Sequence, residues 1–142
     1  MKTLKFTKMV AAGNDFVVID NGIKGNSLGI KDLSKLARAL CQRKTGIGAD
    51  GLLVLEKARG KDFRMRIFNA DGSEAEMCGN GIRCATYFYK KSSGKVTIET
   101  KAGVYQAAIA GNRQVTIKME DPKDLKLDIP IKVNGRSIKV NY

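Results

Sequence analysis

The stretch from Asn69 to Cys84 (Asn-Ala-Asp-Gly-Ser-Glu-Ala-Glu-Met-Cys-Gly-Asn-Gly-Ile-Arg-Cys) holds the residues best suited to chemistry. Cys78-Gly79-Asn80-Gly81 opens an apolar run carrying Ile82, Cys84, Ala85, Tyr87, Phe88 and Tyr89, which reads as a helix. That places Cys78 at a helix N-terminus, where backbone N–H groups lack intrahelical acceptors and the dipole attracts anions. A thiol so placed is favoured as the thiolate, the form that removes a proton or attacks as a nucleophile. Gly79 and Gly81 let ligand atoms approach the backbone, and Asn80 adds amide donors. The competing fate of a free cysteine is that of a small buried hydrophobe. Cys84 fits that second fate, nearly two turns further into the helix, and so does Cys41, on an apolar stripe upstream.

Other polar groups are less specific. Asp71 sits in a turn, and Glu74 and Glu76 precede the helix; capping or solvated roles suit them better than general-base roles. Asn14 and Asn69 each follow strand-like runs, and composition leaves turn-former and ligand amide equally open. Histidine is absent from the chain, so acid–base work near neutral pH falls to another group, and Cys is the natural one. No spacing of Cys, Asp or Glu suggests a metal site.

The elements that position these residues follow from hydrophobic patterning. Lys2 to Val10 alternates as an opening strand, Ala11 to Asp15 interrupts, and Phe16 to Asp20 is a β-branched second strand. Asn21-Gly22 is either a tight turn or the start of a loop continuing through Gly25 and Gly29. Lys31 to Arg43 reads as a helix, with Leu33, Leu36, Ala37, Leu40 and Cys41 on one stripe, Asp32 in its first turn and Arg43 and Lys44 in its last. Gly46-Ile-Gly-Ala-Asp-Gly51 matches G-x-G-x-x-G, but a helix precedes it and the strand Leu52 to Leu55 follows, the reverse of the dinucleotide-binding order. Those glycines are expected to let a tight loop approach a ligand or another backbone. Phe63 to Phe68 is a strand with Phe63, Met65 and Ile67 on one face, and the turn Ala70-Asp71-Gly72-Ser73 leads to the Cys78 helix. That helix is apolar nearly all round, so sheet should enclose it. Short strands follow at Val96–Thr100, Val104–Ile109, Val115–Met119, Ile129–Val133 and Ile138–Val140, with turns at Ala102-Gly103, Gly111-Asn112, Asp121-Pro122 and Asn134-Gly135. The fold expected is α+β: an antiparallel β-roll wrapped around one central helix, plus a second helix.

Bulk properties bound the function. A chain of 142 residues, 43% hydrophobic and 28% charged, suits one soluble globular domain spanning 1–142. No signal peptide precedes Phe6 and no apolar run reaches membrane-spanning length, so a cytoplasmic location is expected. Three cysteines in such a chain are free thiols. The net charge of +12 raises the alternative of a non-catalytic basic module for nucleic acid or another polyanion. Its basic residues are scattered, however, and no aromatics interleave with them for stacking.

Three blocks in order resemble the diaminopimelate epimerase family: Phe6 to Asp20 (Phe-Thr-Lys-Met-Val-Ala-Ala-Gly-Asn-Asp-Phe-Val-Val-Ile-Asp), Cys41 to Leu53 in outline, and Phe68 to Cys84. The related proline racemases carry a similar Met-Cys-Gly block with His where Asn80 stands. The resemblance implies two similar domains, each a β-roll around a helix, with a cleft between them and one cysteine from each on opposite faces of the substrate α-carbon. It implies epimerisation of LL- to meso-diaminopimelate without pyridoxal phosphate or metal. Carried over by motif, Cys78 is the acid/base of the first domain, Gly79 and Asn80 N–H groups bind the α-carboxylate, and Asn14 and Asn69 contact the substrate. The family has His-Gly where Val10-Ala11 stands and His where Lys44 stands. It also runs to about twice this length. The second cysteine must therefore come from a C-terminal epimerase half or from a second copy of this chain.

Overall fold

The computed structural model describes residues 3–23, 32–90, 92–111, 113–121 and 126–140. Lys2, Gly25, Gly29, Lys31, Asn112 and Pro122, each named above in a strand, helix, turn or loop, lie outside the described residues.

Strands β1 (Thr7–Ala11) and β2 (Asn14–Asn21) form a hairpin. The expected interruption shrinks to a two-residue turn: Ala12 and Gly13 both take positive φ, 47° and 87°, and Ala11 pairs directly with Asn14. Both central residues in the left-handed region match the twist of the flanking strands. At its other end β2 does not turn back at Asn21-Gly22. Its next partner is β3 (Gly51–Glu56), and it runs parallel to β2.

Helix α1 (Leu33–Cys41) joins those parallel strands. Asp32 is its N-cap, accepting from Lys35 N at 2.8 Å. The helix stops at Cys41, because Gln42 leaves helical geometry, with ψ at 120°. Arg43 is therefore not in a last turn facing the dipole, as its position in the sequence had implied. The loop that follows folds back on the helix end. Gly46 N donates to Gln42 O, Ile47 N and Gly48 N to Leu40 O, and Ala49 N to Cys41 O. The G-x-G-x-x-G glycines thus serve a close backbone approach: a Cβ on Gly46 would lie 2.3 Å from Ala39 O, and one on Gly51 2.9 Å from Phe68 O. With these N–H groups already donated to helix carbonyls, the loop offers no phosphate cradle.

Strand β4 (Phe63–Asn69) pairs antiparallel with β3 and carries the two-residue β5 (Glu74–Ala75) beside it. Helix α2 (Gly79–Tyr89) then crosses to β6 (Gly94–Thr100), whose Ile98 and Glu99 lie parallel to Phe63 and Arg64. Strands β7 (Gly103–Ala110) and β8 (Gln114–Lys118) complete an antiparallel meander. The sheet order is β1-β2-β3-β4-β6-β7-β8, a curled half-barrel that is mostly antiparallel; each of its two parallel pairings is bridged by one helix.

The unbroken apolar runs of β2 and β3 follow from burial on both faces. Val17, Ile19, Leu52 and Val54 point to the α1 side with Leu33, Ala37 and Cys41. Phe16, Val18, Leu53 and Leu55 point to the α2 side with Ile82, Cys84 and Ala85. Helix α2 touches β1, β2, β3, β4, β7 and β8, so the sheet does wrap it. The wrap is incomplete where the edge strands β1 and β8 face each other. A cavity of about 760 Å³ opens there, with Arg83, Tyr87 and Phe88 of α2 among its walls.

The hairpin β9 (Ile129–Val133) and β10 (Arg136–Val140) forms a sheet of its own. Its turn residues Asn134 and Gly135 take φ of 50° and 77°, as the Asn-Gly signal implied. The register pairs Ile129 with Val140 and Ile131 with Ile138, and sets Val133 opposite Arg136. All five aliphatic residues therefore share one face. Ile131, Val133 and Ile138 on that face are exposed.

Candidate active site around Cys78

Cys78 is the N-cap of α2 and half-buried. Its backbone is extended, at φ −147° and ψ 118°, and its Sγ accepts from Gly81 N at 3.4 Å. Its carbonyl takes the first helical bond, from Ile82 N at 2.9 Å. With Gly81 N turned to sulfur, the N–H groups of Gly79 and Asn80 remain at the positive end of the helix, without an intrahelical acceptor.

The two glycines of this turn differ. A Cβ on Gly79 would meet only Arg83 Nη1, at 4.0 Å, so its surroundings are open. A Cβ on Gly81 would lie 3.1 Å from Leu53 Cδ2 and 3.5 Å from Ile67 Cδ1. Gly81 is thus a packing glycine that seats α2 against β3 and β4, not the ligand-facing one expected from sequence. Gly79 alone keeps that character.

Asn14, at the start of β2, is brought to Asn80. Asn80 Nδ2 donates to Asn14 Oδ1 at 2.8 Å, and Arg83 Nη1 donates to Asn80 Oδ1 at 2.7 Å. Asn14 Nδ2 in turn donates to Asp50 Oδ2 at 3.2 Å. Asn69 ends β4 at the same edge of the sheet, opposite Gly51, itself opposite Phe16. Its amide stands apart from that chain and donates to Ser73 Oγ at 2.9 Å.

An ionic clasp backs this edge. Arg43 reaches both oxygens of Asp15, at 3.0 and 2.8 Å, and Asp50 Oδ1 at 2.8 Å. Asp50 N donates to Asp15 Oδ1, and Asp15 N to Asp50 Oδ2. Lys8 Nζ lies 2.9 Å from Asp15 Oδ2 and donates to Gly48 O. The Arg43 guanidinium, then Lys8, holds the Asp15 carboxyl well below the usual carboxylate range. Sequence reading missed Asp15, Asp50 and Arg83 and misplaced Arg43. Only the β2–β3 register, with Phe16 beside Gly51, sets Asp15 next to Asp50 across thirty-five positions.

The remaining candidates take structural places. Cys41 and Cys84 are each 2% exposed. Burial pushes the Cys84 thiol up to about 11, with neighbouring Cys78 adding to it, and burial raises Cys41 as well. Glu74 is paired with Arg66 at 2.7 and 3.0 Å, which lowers its carboxyl. Asp71 caps its own turn through Ser73 N and Oγ, at 2.8 and 2.6 Å, and Glu76 is exposed. Among the described residues no three acidic or thiol groups gather as metal ligands, and no helix is long and apolar enough to cross a membrane.

Chemically, the edge offers one accessible thiol beside two backbone donors and an Asn pair of fixed geometry. That combination suits a proton-transferring group next to a bound anion.

Comparison with known proteins bears on the family and the fold. The diaminopimelate epimerase family model matches residues 6–125. A diaminopimelate epimerase from Carboxydothermus hydrogenoformans is 43% identical over 141 residues, a match covering 96% of this chain and 51% of the relative. One from Caldanaerobacter subterraneus is 42% identical, with 97% of this chain and 56% of the relative covered. Among solved structures, a probable proline racemase from Agrobacterium radiobacter with bound carbonate superposes with a TM-score of 0.73 at 22% identity, over 98% of this chain and 48% of that one. A phenazine biosynthesis protein of the PhzF family from Bacillus anthracis gives 0.66 at 22%, over 92% and 45%. These two show a shared fold. The chain spans about half the length of the curated relatives it matches. By family model and by relatives, the chain belongs to the diaminopimelate epimerase family.

Proposed function

We propose that this chain supplies one half of a pyridoxal-phosphate-independent diaminopimelate epimerase site, with Cys78 as its acid/base. The observation that carries the reading is Cys78 at the N-cap of α2, half-buried, beside the free N–H groups of Gly79 and Asn80. The α-carboxylate of LL-diaminopimelate accepts from those two N–H groups. The Cys78 thiolate then takes the α-proton while a second thiol delivers a proton to the opposite face. The electron pair left on the α-carbon is stabilised by the same helix end. Asn14 and Asn69 border the substrate from the sheet edge.

One thiol cannot serve both faces, so the second comes from a C-terminal epimerase half or a second copy of this chain. The twofold greater length of the relatives supports the first source. So does the aliphatic face of β9–β10, because a lone hairpin is marginal in water unless another body covers it.

The test is α-proton exchange and epimerisation of diaminopimelate in D₂O, with this chain alone and with a separately expressed C-terminal half. Both activities are expected only with the two together, and Cys78→Ser should abolish them. Full turnover by the isolated chain, with its mass in solution that of a monomer, would overturn the proposal.

A further inference from the structure

The path Arg83–Asn80–Asn14–Asp50 has a fixed polarity. A carboxylate only accepts and a guanidinium only donates. Asp50 Oδ2 therefore faces the Asn14 NH₂, which leaves the Asn14 carbonyl for α2. Asn80 must answer with its own NH₂, and its carbonyl then meets Arg83. Turning either amide over would set acceptor against acceptor at Asp50 or donor against donor at Arg83. The path also ties three separate segments together: the loop before β3, the first residue of β2 and the first turn of α2. Asp50 is itself fixed, by Arg43 on Oδ1 and by Asp15 N, at 3.1 Å, on Oδ2.

We infer that Asp50 is a positioning residue: by orienting the Asn14 amide it docks Asn80, and with it the anion-receiving first turn of α2, against the start of β2. Asp50 does this without touching that turn. The functional weight of the docking rests on the reading of that turn as the carboxylate site, while the docking itself does not.

Asn14→Asp is the test, because it keeps the shape while replacing the donor that faces Asp50 with a charged acceptor. The new carboxylate still accepts from Asn80 but confronts the Asp50 carboxylate where a donor stood, about 3.2 Å away. Adding Asp50→Asn restores a donor opposite it, keeps an acceptor for Arg43 and returns the net charge of the parent chain, at the cost of the bond from Asp15 N that shared Oδ2. In ¹H–¹⁵N spectra of the full chain without ligand, Asn14→Asp should move the Asn80 side-chain signals and the Gly79 and Asn80 backbone signals. The double variant should bring them back toward their original positions. A passive surface pair would show no such rescue. Gly79 and Asn80 signals that stay put in Asn14→Asp, or that move further in the double variant, would overturn the inference. If Asn14→Asp loses signal dispersion throughout, Asp50→Ala carries the test, and it must shift the same signals. Because these spectra need no substrate, the exchange assay can fail independently of them.

Discussion

Gly79→Ala separates the fold of this chain from its proposed chemistry. An alanine Cβ there meets nothing nearer than Arg83 Nη1, at 4.0 Å, so no packing is disturbed. Alanine is better than glycine in a helix by about 0.8–1.0 kcal/mol at most, an upper figure for a first-turn position. For a chain of this size that is a rise of up to about 2–4 °C in the melting midpoint. The methyl nonetheless stands in the way of function. Cα–Cβ bonds in a helix tilt toward its N-terminus, so this one projects over the N–H groups of Gly79 and Asn80. A hydrogen bond to a charged acceptor contributes about 1.5–3 kcal/mol. Losing one weakens carboxylate binding about ten- to a hundredfold, at 1.4 kcal/mol per tenfold. Thermal unfolding by circular dichroism reads the first effect. Titration with diaminopimelate, followed through the backbone amide signals of Gly81 and Ile82, reads the second. Gly81→Ala is the contrasting variant, since its Cβ would press on Leu53 Cδ2 at 3.1 Å. Overpacking of that kind costs about 1–3 kcal/mol, so its midpoint should not rise. A Gly79→Ala protein that melts below the parent, or that takes up diaminopimelate as well as the parent, would refute this account of the turn.

Three further outcomes follow from the charge clasp and the buried thiols. Asp15 has its carboxyl lowered in the fold by Arg43 and Lys8, so its contribution is present above its unfolded value, about 4, and is lost as pH falls toward the folded one. The advantage of the parent over Asp15→Asn in urea unfolding should therefore be full at pH 7 and shrink steadily on the acid side of about pH 4. The Cys41 and Cys84 thiols are raised, the reverse case: between their unfolded value near 8.5 and the folded one, about 11 for Cys84, the unfolded chain sheds protons that the fold retains. Stability should fall across that alkaline window. In the folded chain iodoacetamide should label Cys78 first, by peptide mass mapping, with Cys41 and Cys84 joining only in denaturant; prior labelling of Cys84 would refute the placement of α2.

Where one element's chemistry is local, the sequence was sufficient. The Cys78-Gly-Asn-Gly81 turn and the Asn134-Gly135 hairpin each rest on residues within a few positions of one another. The near-continuous apolarity of α2 likewise announced burial on more than one side, and the core bears this out. The reversed order around Gly46 to Gly51 was enough to refuse a nucleotide loop. What local patterns could not carry was pairing. Nothing in the chain before folding says that Phe16 lies beside Gly51, and without that register Asp15, Asp50 and Arg43 are three unrelated surface charges. Asn14 and Asn80, sixty-six positions apart, meet only because α2 is drawn against β2 by the curl of the sheet. The two glycines flanking Asn80 read alike in sequence. The tertiary structure alone gives Gly81 to packing, because Leu53 and Ile67 approach it, and leaves Gly79 open, because nothing does.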